Sequence, residues 1–530
     1  MIKEWLFTTD HKRVGILYLV GSLAAFAVAG IVALLIRWEL TGIGETIGGV
    51  GPDDYNFWLY FHGAAMILAF LIPGLTGFLA NYLVPLMIGA HDVAFPRVNA
   101  FSVWLFWFAI VIALLSFVIP DPPDIMWTGY PPYSSEFSPG NTAFYVFTVH
   151  LIGFSSILGA VNFLCTVIYM RAPGMKWNQL NFFVWTILGA FVIQLIFVPV
   201  LASSVTLLLT DKYFGTAFFV PANGGDVLLY QNLFWFYSHP AVYVILLPAV
   251  GVMMEIISNM SKNPIFNYKA AVYGGVWGVV VLGSDVWVHH LYTSGLADWI
   301  RIGMMVTTLI ISIPIGLLVI SLVGTLFRGS IKYSTGMLYA TSNLFLILVG
   351  GLTGIPLAMT SLTLHLAETY FVMAHFHFIM GIMATFAVFA GIYHWFPKMT
   401  GRMYSEKLGV IGFVLNFVGV NLTFWPLFYI GFLGMPRRYY DYAMFPEFEP
   451  FQVMATVGAI VVAVSMALNF YNWIVSAIFG EKAPENPWGS NSLEWTHCQS
   501  PPGPGNFPKL PKVSSKWHPH EYKPQVIEWV

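Results

Sequence analysis

Apolar runs long enough to cross a bilayer recur along almost all of this chain, and no other feature limits its fold as much. A helix needs about 20 residues to span the hydrocarbon core. About twelve runs meet that length: 15–37, 56–87, 98–119, 142–170, 181–209, 228–258, 268–290, 300–327, 336–360, 370–396, 407–432 and 451–479. Only 9% of the 530 residues are charged and 58% are hydrophobic, too little charge to coat a water-soluble surface. Lipid satisfies no backbone polar group, whereas a helix satisfies its own. The expected fold is therefore all-α, a polytopic membrane protein of about twelve transmembrane helices. Lys3, Lys12 and Arg13 precede the first run and favour a cytoplasmic N-terminus; Arg171 and Lys176 fit the same side. The N-terminal lead-in lacks a small-residue cleavage site and reads as a retained span. Residues 1–480 are read as the membrane core, and 481–530, rich in Pro, Ser, Lys and Trp, as an extended polar tail lying on a partner. A net charge of −2 gives no reason to expect nucleic acid. Cys165 and Cys498 have no metal-cluster or disulfide spacing.

Histidines break this pattern. In Thr369–Gly381 two of them, His375 and His377, are one residue apart. Helical residues turn by about 100° each, so the two rings project to opposite faces, and one helix could ligate two different metal centres. Core histidines bonded to polar neighbours would give the same pattern. His239 and Tyr243 are four apart and share a face, which suits a metal ligand beside a proton or hydrogen-atom donor, or a packed interfacial aromatic. His289 and His290 are adjacent, so both reach one ion only off the flank of the helix or where the helix is distorted. With His239 they would form a three-imidazole set suited to copper. His62 lies beside Gly63, Ala64 and Ala65, small residues that admit a flat macrocycle or another helix. Six histidines at membrane depth carry a burial cost that packing alone does not explain, and imidazole binds haem iron and copper. Arg437 and Arg438 close a span, where they can snorkel to headgroups or clamp carboxylates such as haem propionates.

FHGAAM, NYLVPLMIGAHD, WTGYPP, SSILGAVNF, FWFYSHPAVY, VHH, LVGGLTG, AHFHF and MPRRYYDY, in this order from the first span to Leu493, resemble subunit I of the haem–copper oxidases, the A-type cytochrome c oxidase branch. The resemblance implies His62 and His377 as axial ligands of a low-spin haem, haem a, and His375 as the ligand of a high-spin haem, haem a3. It implies His239, His289 and His290 around the copper CuB, Tyr243 as the tyrosine this family crosslinks to the first copper histidine, Arg437 and Arg438 on haem propionates, and Arg37 near a haem formyl group. A proton route would run from Asp92 past Asn81, Asn99, Ser155, Ser156 and Asn162. The implied reaction is reduction of O2 to water with electrons from cytochrome c or quinol, coupled to proton uptake or translocation. The implied partners are a subunit II carrying the dicopper centre, subunit III and small subunits, in a bacterial cytoplasmic membrane.

Four positions depart from the resemblance. Ala241 stands where many members have Glu, and Tyr237–Ser238 looks like the branch that uses a hydroxyl pair instead. Ile315-Gly316-Leu317-Leu318 replaces Thr-Gly-x-Lys, and Met254 replaces a serine, so the Lys-bearing proton path is apolar. Ala367–Glu368 replaces the His-Asp pair of the magnesium site. These losses keep nitric oxide reductase, of the same superfamily, as an alternative, which Tyr243 opposes because it suits O–O cleavage. A non-redox transporter is the alternative of another class; it predicts inverted repeats and leaves the histidines unexplained.

Overall fold

The computed structural model describes residues 2–522 and 527–529. Its frame is a bundle of apolar helices: α1 His11–Glu39, α2 Pro52–Ile88, α3 Pro96–Leu115, α4 Thr142–Tyr169, α5 Phe182–Phe214, α6 Val227–Ser261, α7 Ala270–Gly283, α8 Asp298–Leu326, α9 Thr335–Ala358, α10 Tyr370–Thr400, α11 Glu406–Phe432 and α12 Pro446–Phe479. Eleven are long and apolar enough to cross a membrane, and α7 is shorter. The run expected over 268–290 stops at Gly283, where Ser284 turns its hydroxyl back onto Val280 O, 2.7 Å away. The following turn, Trp287–Leu291, is wound more tightly, as a 3-10 helix. Polar residues set other boundaries: Asp10, Asp226 and Ser405 cap α1, α6 and α11 by accepting backbone N–H bonds. Pro52 and Pro96 open α2 and α3, where a missing N–H costs nothing.

Burial sorts the helices. In the most apolar stretch of α6, 94% of residues are buried, against 78% in α2, 72% in α5 and 56% in α10. The other spans have 28–39% and turn much of their surface outward to lipid. Three of the four inner helices carry four of the six histidines, and the other two, His289 and His290, lie in the tight turn after α7. Two of the inner helices are also irregular. In α2, π-helical turns run over Ala65–Leu71 and Pro73–Leu79, and Pro73 removes a donor there. In α10 a π-helical turn covers His377–Ile382. Such turns widen the helix and re-aim its side chains.

The segment after α12 folds over its own chain, whereas the sequence suggested a tail lying on a partner. Trp488, Trp495 and Trp517 are buried, and burying three such rings outweighs the polar composition of the segment. Val513 N donates to Pro173 O (2.9 Å), Gln179 Nε2 to Ser514 O (2.8 Å) and Lys398 Nζ to Cys498 O (2.8 Å). Strands β1 Pro511–Val513 and β2 Ile527–Trp529 pair antiparallel. Asn506 reaches the first helix and the loop 89–95: its Oδ1 accepts from Lys12 Nζ (2.8 Å), and its Nδ2 donates to Ala90 O (2.8 Å) and His91 O (3.1 Å).

Candidate metal centres

Three imidazoles meet between α6 and the 3-10 turn that follows α7. The ligand atoms of His239, His289 and His290 all lie within 4.8 Å of one another. The sequence posed the difficulty that two adjacent histidines on a straight helix diverge. The tight turn over 287–291 removes it, because α7 has ended before them. His290 is fixed by stacking on Trp235, with ring centroids 3.5 Å apart and planes 6° apart. Trp235 in turn donates its indole N–H to the Tyr130 hydroxyl. His239 presents Nδ1 to His290 Nε2 at 3.1 Å and Nε2 to the Tyr243 hydroxyl at 2.9 Å. One residue on α6 therefore joins the imidazole cluster to the phenol. Gly283 permits this: a Cβ there would fall 2.6 Å from the Tyr243 ring. Three imidazoles with their ligand atoms this close together suit copper.

A second pair spans α2 and α10. The rings of His62 and His377 have centroids 6.4 Å apart and planes 11° apart. Metal–nitrogen bonds of about 2 Å on either side of one ion would set two imidazole centroids about 6 Å apart, so the pair fits a six-coordinate haem iron. His62 Nδ1 bonds Ala29 O (3.0 Å) and His377 Nδ1 bonds Met373 O (2.8 Å). Each Nδ1 is thus the donor, which leaves each Nε2 free to ligate a metal. His375, two residues earlier, points elsewhere: its Nδ1 lies 3.2 Å from Thr353 Oγ1 on α9. A Cβ at Gly354 would come within 3.0 Å of that ring. One helix therefore serves two surroundings, as the spacing of its histidines suggested. Thr353 and Thr308, the latter 3.5 Å from His289 Nδ1, escaped notice in the sequence because a lone threonine in an apolar run carries no signal.

The arginines differ among themselves. Arg37 is buried and donates Nη2 to Gln452 O (2.7 Å), while its Nε and Nη1 have no partner among the described residues. Unsatisfied buried guanidinium nitrogens fit an acceptor on a bound haem. Arg437 grips both carboxylate oxygens of Glu368, at 2.8 and 3.1 Å, and Arg438 lies 3.7 Å from the same group. The carboxylate standing at the family's magnesium position is thus held by guanidiniums, which are also the groups assigned to propionates.

Of the route residues, Asn99 Nδ2 donates to Asn81 Oδ1 (2.6 Å). Tyr18 Oη lies 3.0 Å from Ser102 Oγ and 2.9 Å from Ser155 Oγ. Asn81, Asn99, Ser155 and Ser156 line one narrow cavity of about 20 Å³ together with Tyr18 and Gln194. Asn162 instead accepts from Phe95 N (2.8 Å) and shapes the loop carrying Asp92. Burial pushes the Asp92 carboxyl up to about 6, against the backbone bond from Val93. Tyr237 and Ser238 are buried on α6 and do not line that cavity. Where the family's Lys-bearing path would run, Met254 and Leu318 are fully buried and apolar, and the Thr325 hydroxyl meets the Met254 sulfur (3.8 Å), Phe266 N (3.0 Å) and its own helix.

A family model described as Cytochrome C and Quinol oxidase polypeptide I matches residues 13–461. The chain belongs to that family. The cytochrome c oxidase subunit 1 of Thermostichus vulcanus is 42% identical over 516 residues, covering 97% of this chain and 92% of the relative. The protein of the same description from Synechocystis sp. is 42% identical over 505 residues, 95% and 90% of the two chains. A solved heme-copper terminal oxidase dimer shares the fold, with a TM-score of 0.72 over 88% of this chain and 84% of that one, at 18% identity. As a member of the oxidase polypeptide I family, the chain is an enzyme subunit and an integral membrane protein, and the family implies haem and copper.

Proposed function

We propose that the chain is the catalytic subunit of a respiratory terminal oxidase that reduces O2 to water with electrons from cytochrome c and takes up protons along the Asp92 side. The observation that carries this reading is the Tyr243 hydroxyl 2.9 Å from His239 Nε2, while His239 Nδ1 faces the other imidazoles. Bound haem a, haem a3 and CuB would supply the electrons and the site of O2 binding. His62 and His377 would hold the first haem, His375 the second, and His239, His289 and His290 the copper. Tyr243 Oη holds a proton next to the copper ligands and can release it toward the reacting oxygen, which suits cleavage of O2 more than reduction of NO. Apolar α6 around it keeps bulk water out, so that released protons come by a chosen route. Arg37, Arg437 and Arg438 would orient the haems by their polar edges. Tyr237 and Ser238 would stand in for the absent carboxylate at Ala241.

Cys165 and Cys498 form no dicopper pair, so a subunit II would bring that centre, with subunit III and small subunits beside it. The bacterial relatives support a place in a bacterial cytoplasmic membrane. Steady-state consumption of O2 and of NO by one preparation, with reduced cytochrome c or quinol as donor, tests the reading. Rapid O2 uptake with cytochrome c is expected. Turnover of NO without O2 would make the chain a nitric oxide reductase, and the lack of a Soret band would leave no redox function.

A further inference from the structure

Gln194 sits in the middle of α5, in the apolar run Phe191-Val-Ile-Gln194-Leu-Ile-Phe197, and is fully buried. Neither its Oε1 nor its Nε2 meets a hydrogen-bond partner among the described residues. A buried amide with both ends unpaired is costly, and native proteins rarely leave one so. If Gln194 merely bonded two helices together, a group on α4 or α6 would face it. It lines instead the cavity shared with Tyr18, Asn81, Asn99, Ser155 and Ser156. That cavity, about 20 Å³, exceeds the 10–15 Å³ of centre volume that one water needs, and it offers the two to four polar partners a buried water requires.

We propose that Gln194 is a positioning residue of the proton route, holding water between its amide and the hydroxyls of Ser155 and Ser156. The proposal rests on the reading that protons enter on the Asp92 side. An amide suits this place because it accepts through Oε1 and donates through Nε2, so water beside it can reorient after each proton has passed. It takes up no proton of its own, so it does not trap the charge it helps to guide. Met254 and Leu318 leave no comparable polar lining where the family's other path would run.

The test compares Gln194→Met, which keeps length and volume without the amide, with Gln194→Glu, which keeps oxygen acceptors. Proton uptake after an oxygen pulse is timed in the purified holoenzyme, with haem reduction followed by absorbance in the same traces. Q194M is expected to take up protons about tenfold more slowly, the change that corresponds to one neutral hydrogen bond, with unchanged haem spectrum and unchanged reduction of the low-spin haem. Q194E, which can bind the proton it should only guide, is expected to be slowed as well, and with a pH dependence that Q194M lacks. Wild-type uptake in Q194M overturns the proposal. Should Q194M fail to assemble haem, a high-resolution structure of the wild-type holoenzyme decides: ordered water at about 3 Å from the amide supports the proposal, and a dry or protein-bonded amide overturns it. Asp92→Asn, measured in parallel, separates the two levels. Normal uptake in D92N sinks the route itself, whereas slow D92N with fast Q194M sinks only the role of Gln194.

Discussion

Tyr243 and Asp92 are the two side chains at which a single substitution tests most. Tyr243→Phe removes the hydroxyl beside His239 Nε2 and little else, because the ring stays packed against Gly283. Loss of one positioned proton donor costs about 10²–10⁴ in rate, so O2 consumption is expected to fall by that factor while the Soret band and copper content remain. For Asp92 the sign can be worked out. Burial raises its carboxyl to about 6, above the ordinary carboxylate value of about 3.9. The protonated form therefore favours the fold below pH ~4, and that contribution is lost as pH rises through about 6. Asp92→Asn cannot ionise. Relative to wild type, its unfolding temperature is expected to gain between pH 4 and pH 8, even as proton uptake slows. A variant that loses both stability and uptake at pH 8 would show Asp92 to be a structural group. Most of these side chains could be read from the chain alone: an ionisable ring at membrane depth demands a reason, and Tyr243 lies one helical turn from His239. Thr353, Thr308, Tyr18 and Gln194 could not, since their meaning lies in which neighbours they meet or fail to meet.

At the scale of elements, the sequence showed spans by their length and apolarity but not their internal irregularities. In 268–290 the end of α7 is marked only by the short triplet Gly283-Ser284-Asp285, which the resumed apolar residues Val286 and Val288 mask in a reading by run length. The break depends on how Ser284 bonds and on the packing of α7 against α6 and α8. Likewise the π-helical turn over His377–Ile382 is a matter of backbone bonding that side-chain periodicity does not record. Gly283 tests whether the break matters. Gly283→Ala would place a Cβ 2.6 Å from the Tyr243 ring, and neither the ring nor the helix can yield cheaply inside α6. Turnover per haem is expected to fall severalfold or more while haem content holds, and resonance Raman of the tyrosine should report a changed environment. Unchanged turnover would mean that α7 gives way and that the contact is dispensable.

On the scale of the whole molecule, the inner helices α2, α6 and α10 and the turn after α7 hold the candidate ligands, and the outer spans insulate them from lipid. The described residues beyond α12 fold onto the membrane core. Polar composition suggested an extended segment, yet buried tryptophans and buried backbone bonds bind it to loops at the ends of α1, α2 and α10. Asn506→Ala would leave Lys12, Ala90 and His91 short of one partner each. Removing a buried hydrogen-bonding group costs about 1–3 kcal/mol. A lowered unfolding temperature is expected, with increased proteolysis of the 89–95 loop and little change in the haem spectrum. An unaltered melting curve would show this segment to be weakly attached.

That anchorage has a consequence for timing. Asn506 grips the stretch beside Asp92 from 415 residues further along the chain. The doorway through which protons would enter thus gains this last hold only after Asn506 has left the ribosome, so a chain cut short before it offers the bilayer no finished leak.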